Sequence, residues 1–139
     1  MRYETMEEPE GVGSHNQAFL AFAKAVNKEM ASIWQCLNHP LCDAVEEMKR
    51  QMRQIDGYKA RIVFLLAEAK HYLANACVAK KPPKSPELTD LDRKALLDAR
   101  TGNEKRLVQV LEGTLEVIQS RICMGQTILK DETVQRKVG

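Results

Sequence analysis

Cys36, His39 and Cys42 stand at Cys-x2-His-x2-Cys spacing, and sulfur and imidazole nitrogen are the ligands that zinc takes in a tetrahedral shell. If the two longer predicted helices pack antiparallel about the proline-rich turn, Cys123 falls within a turn of Cys42 and completes a Cys3His set. The spacing matches no familiar zinc knuckle. The plainer reading is a tight corner at Asn38-His39-Pro40 with small thiols near it, so no metal and no cofactor are expected, and a zinc-stabilised bundle stands as an alternative. The four cysteines, including Cys77, are too thinly spread for a secreted disulfide scaffold and read as reduced thiols.

Two further histidines, His15 and His71, have no nucleophile or carboxylate placed to work with them in sequence, and general acid–base chemistry needs two positioned groups. No Glu-x-x-His pair, glycine-rich phosphate loop or dinucleotide fingerprint occurs. The chain is therefore expected not to be an enzyme.

The run Lys80-Lys81-Pro82-Pro83-Lys84-Ser85-Pro86 carries other chemistry. Ser85 before a proline is a candidate phosphorylation site, set beside three lysines. Lys80, Pro83 and Pro86 also fit a basic-x-x-Pro-x-x-Pro pattern that an aromatic groove takes up in polyproline II form, although a stiff interhelical turn accounts for the same residues. Lys49, Arg50, Arg53, Lys59 and Arg61 form basic clusters, but Glu46 and Glu47 lie three or four residues ahead, where they support a helix face. A nucleic-acid-associated helical protein using these cations and the loop lysines is the second alternative. It is disfavoured as the leading reading because no aromatic platforms interleave the cations and the net charge is only +2, from 21 basic and 19 acidic residues.

The elements that must position these residues read as helices. Aromatics make up 5% of the 139 residues and hydrophobics 44%, a composition for aliphatic helix–helix cores in one domain. Phe19, Phe22, Ala23, Val26, Met30, Ile33 and Leu37 form the apolar stripe of a first helix, widened by Trp34 and expected to start from a capping box at Ser14 and Gln17. Met48, Met52, Ile55, Ile62, Leu66, Ala69, Leu73 and Ala76 form a heptad-like seam, predicting a second helix over 41–79, about 55 Å long, with Pro40 at its start and Gly57 tolerated within it. Leu111, Leu115, Ile118, Ile122 and Leu129 mark a third helix, capped at Thr89 and Asp92, with Thr101-Gly102-Asn103 as a kink and Gly125 where helices approach closely. No run approaches the length of a membrane span, and the polar start is not signal-like.

The expected fold is all-α: an elongated up-down-up three-helix bundle built on a long antiparallel hairpin, a coiled-coil-like scaffold. Residues 1–13 form an acidic flexible tail, 14–130 the single domain, and 131–139 a frayed end. A first helix shorter than the hairpin leaves apolar seam uncovered, which predicts a partner surface at Met48, Met52, Ile55, Ile118, Ile122 and Leu129. The functional expectation is a non-enzymatic adaptor or assembly subunit of an intracellular complex, cytoplasmic rather than nuclear. Its partner would be another helical protein or a second copy of itself, and no transmembrane segment is expected.

Overall fold

The computed structural model describes the backbone of residues 12–138 and the side chains of residues 12–131. The expected acidic tail lies outside these residues, apart from Val12 and Gly13. Four helices follow in order: α1 (Val12–Leu37), α2 (Val45–Ala79), α3 (Asp90–Arg100) and α4 (Gly102–Val138). The protein is thus a four-helix bundle, not the three-helix bundle that the sequence suggests.

The extra helix arises at Thr101. Its backbone leaves helical values at φ −107° and ψ 15°, and its hydroxyl donates back to the Leu97 carbonyl at 2.8 Å. The residue is fully buried, and its own carbonyl accepts from Lys105 N at 3.0 Å, so one residue closes α3 and opens α4. A β-branched residue with a back-bonding hydroxyl, followed by glycine, is poorly suited to carry a helix straight through. The start of α3 follows expectation: Thr89 and Asp92 exchange side-chain and backbone hydrogen bonds in a capping box.

Three other boundaries differ from the sequence reading. Ser14 lies inside α1, which already includes Val12 and Gly13, so it does not begin the helix. α2 starts at Val45 rather than at residue 41. Gln51 reaches back to accept from Cys42 N at 2.7 Å and to donate to the Pro40 carbonyl at 3.3 Å, holding the corner outside the helix. At its other end α4 continues as helix to Val138, through the stretch expected to fray.

Cross-links between helices give the directions. Tyr72 packs its ring against Phe19 and Phe22, and Arg61 pairs with Glu29, so α1 and α2 run antiparallel. Lys80 meets Glu104 at one end of the bundle and Met52 lies against Gly125 near the other, so α2 and α4 are antiparallel as well. α1 and α4 are therefore parallel, joined by His15 to Glu104, by Trp34 Nε1 to Thr114 Oγ1 at 3.2 Å, and by Arg121 to the Leu37 carbonyl at 2.7 Å. Arg121 also donates to the His39 carbonyl, a cation closing the carbonyl end of α1.

The core lies along α2 and α4 and is closed by α1. Val26, Ile33, Ile62, Ala69, Leu111 and Ile118 are at most 1% exposed. Burying each of the larger side chains is worth about 1.5–3 kcal/mol. α3 contributes no buried residue and is tied on by Arg93 to the Pro82 carbonyl and Arg100 to the Lys80 carbonyl.

Candidate partner-binding surface

The residues expected to meet a partner are mostly inside. Met48, Met52, Ile55, Ile118 and Ile122 are between 0% and 8% exposed and belong to one core with Ile62 and Leu111, while Leu129 is half-buried against it. The expectation that they form an open seam is corrected: α4 runs the length of α2 and covers it. At its tightest point a Cβ on Gly125 would lie 2.1 Å from Met52 Sδ, so the glycine is what lets α2 and α4 close over the methionine.

An open apolar face lies on the other side of α2. Ala60, Val63, Phe64, Ala67, Ala74 and Val78 are all exposed and recur at helical spacing, with the exposed His71 in the same row. The large members are far from covered: Val63 is 49% exposed, Phe64 54% and Val78 80%. Phe64 is held from one side by Arg61, whose guanidinium lies 5.4 Å from the ring centroid and is itself anchored on Glu29 of α1. This stripe is legible in the sequence as a second set of apolar residues out of phase with the seam.

The composition of α2 bears on the expectation that no segment spans a membrane. The helix is long and apolar enough to cross a membrane by length and composition, with a mean hydropathy of 1.3 over an 18-residue stretch of which 28% is buried. Glu68, Lys70 and His71 interrupt its apolar residues and are all exposed. The inner half of the same helix is occupied by packing on α1 and α4.

At the end where α1, α2 and α4 meet lies a buried ionic cluster that spacing alone does not reveal. Glu104 is 1% exposed, and its Oε1 accepts from Lys80 Nζ at 2.9 Å and lies 3.1 Å from His15 Nε2. Lys80 Nζ also donates to the Arg100 carbonyl at 3.2 Å, tying the α3 end into the cluster. Burial pushes the Glu104 carboxyl up. The hydrogen bonds from Lys80, its own backbone and His15, with the charge of Lys80, outweigh that and hold it below its ordinary value. The cluster is bracketed by aromatic contacts, His15 stacking on Phe19 at 6.2 Å. Nearby, α1 and α4 diverge into an open groove of about 500 Å³ whose apolar lining includes Phe19, Leu20, Leu107 and Val110.

The other sequence candidates separate. Among the described residues no group of three or more His, Cys, Asp and Glu side chains converges to hold a metal ion, so Cys36, His39, Cys42 and Cys123 do not form the Cys3His set. All four cysteines are free thiols, none of them fully buried. Of the basic cluster, Lys49 lies 3.7 Å from Glu46, Arg50 3.4 Å from Glu47, and Arg61 is taken by Glu29. Ser85 is half-buried in the loop between α2 and α3. No protein-family model, curated protein or solved structure matches this chain.

Proposed function

We propose that the protein is a non-enzymatic assembly subunit that works by helix–helix packing, presenting the outer face of α2 to a helix of another protein chain. The observation that carries this reading is the exposed row Val63, Phe64, Ala67, Ala74 and Val78 on a helix whose opposite face is already packed. Water-exposed apolar rows of this extent mark interaction surfaces. A partner helix laid along the row would meet alanines at alternate levels, Ala60, Ala67 and Ala74, and one large anchor, Phe64, which suits close packing of two helices. Arg61 lies against one side of that anchor, its guanidinium 5.4 Å from the ring centroid. The free thiols and the ion-paired cations fit an intracellular assembly role better than phosphate-backbone binding.

The test places a photo-crosslinking residue at position 64 in the full chain, with position 119 as a control, since Gln119 is exposed on α4. Crosslinks from position 64 should land on a helical segment of a second chain, its own copy or another protein. They should vanish when Val63 and Ala67 are changed to Asp, with the thermal midpoint unchanged. Equal crosslinking from both positions, or none from position 64, defeats the reading.

A further inference from the structure

The loop joining α2 to α3 is a built structure. Pro82 is buried, and its carbonyl accepts from Arg93 Nη2 at 3.3 Å. Ser85 Oγ accepts from Glu87 N at 3.3 Å, and the Ser85 carbonyl accepts from Leu88 N at 3.1 Å, forming a turn that leaves Lys84, Pro86 and Glu87 exposed. Lys84, Ser85, Pro86, Leu88, Asp90 and Arg93 line one concavity of about 340 Å³. Arg93 is only 15% exposed, and its Nε is buried without a hydrogen-bond partner, an unmet donor beside the serine pocket. The acidic neighbour is Asp90, fully exposed and with its Oδ1 3.9 Å from Arg93 Nη1, a loose contact. The Thr89–Asp92 capping box already serves the first turn of α3, so an added anion here would rely on side chains.

We propose that Ser85 is a phosphorylation site for a proline-directed kinase and that Arg93 and Lys84 bind the phosphate, fastening the loop to α3. In the modification, a new P–O bond forms to Ser85 Oγ and the bond from the γ-phosphorus of ATP to the bridging oxygen breaks. The hydroxyl proton passes to a base of the kinase, and ADP leaves. The phosphate carries about two negative charges and three acceptor oxygens, so it outcompetes the solvated, single carboxylate of Asp90 for the guanidinium. The phosphate also gives Arg93 Nε an acceptor that its present setting withholds, beside the Nη2 bond to the Pro82 carbonyl. This inference is independent of the α2 surface.

The test treats the full chain with ATP and a proline-directed serine/threonine kinase, locates phosphate by tandem mass spectrometry, and follows amide exchange with and without modification. One phosphate on Ser85 is expected, with exchange across residues 88–100 slowed by roughly fivefold. Arg93→Gln should abolish the slowing while leaving Ser85 modified, and Arg93→Lys should retain part of it. If Arg93→Gln loses its helical circular dichroism, the Lys variant carries the comparison. No phosphate on Ser85, or a slowing unchanged in the Arg93 variants, overturns the proposal.

Discussion

Along α2, Ile62, Leu65, Leu66, Ala69 and Ala76 face α1 and α4, while Ala60, Val63, Phe64, Ala67, Ala74 and Val78 face away. Both sets are apolar and lie on one helix, yet the first is almost wholly removed from water while every member of the second is exposed. Apolar content therefore does not decide which face is core. The decision lies with what can approach: α4 offers a continuous complementary seam with Leu111, Ile118 and Ile122, and α1 closes the adjoining flank with Val26, Met30 and Ile33. Among the described residues no other helix packs over the outer face. The inner row holds the fold together, and the outer row is available for what lies outside it.

The end of the inner face gives the largest expected effect. Lys80→Met would leave Glu104 buried without its main counter-charge and should cost about 4 kcal/mol. The pH dependence sharpens this. Because the folded Glu104 carboxyl lies below its ordinary value of 4.5, its contribution is fully present above about that pH and is lost as pH falls through the folded value. In Lys80→Met burial acts unopposed by the lysine, so acid unfolding followed by circular dichroism should move to higher pH. An unchanged acid midpoint would show that this end of the bundle does not depend on the pair.

Next in size is a direct comparison of the two faces. Ile62→Ala, at a position with no exposure, should cost about 3 kcal/mol in urea unfolding. Phe64→Ala, on the outer row, should change stability by about 0.5 kcal/mol or less, even though it deletes the larger side chain. A cost for Phe64→Ala as large as that for Ile62→Ala would mean that the outer face is covered in solution by self-association. Stability would then depend on protein concentration.

Much of this architecture is readable from residue spacing. The seam through Met48, Met52, Ile55, Ile62 and Ala69 identifies the core face of α2, the Thr89–Asp92 pair identifies the cap of α3, and the Thr101-Gly102-Asn103 triplet marks where the last helical region changes. What spacing does not provide is depth. The same seam read as a partner surface becomes interior once α4 proves long enough to cover it. Glu104, with no local sequence partner, is recognisable as a buried ion only when residues 89 and 24 positions away arrive beside it. The start of α2 is missed for a similar reason: Gln51 holds the Pro40–Cys42 corner through its side chain, and no propensity argument contains that contact.

The finest test concerns two glycines. Gly57 lies in α2 with nothing within 4 Å of a Cβ placed on it, so Gly57→Ala gains helix propensity at no steric cost and should stabilise the protein by about 0.8 kcal/mol. Gly125, in α4, gains the same propensity but drives its new methyl into Met52, with Sδ at 2.1 Å and Cε at 2.7 Å. A methionine end can swing aside, yet Met52 is 7% exposed and sits among packed neighbours, so relief requires repacking that offsets the propensity gain and costs about 1 kcal/mol net. The two variants should shift the thermal midpoint in opposite directions. Pairing Gly125→Ala with Met52→Ala should cost less than the sum of the two single changes, a partial recovery against additivity, because the smaller side chain makes room where the methyl enters. Recovery would locate the tight approach of α2 and α4 at this level of the inner face. Additive losses would place the strain elsewhere along the seam.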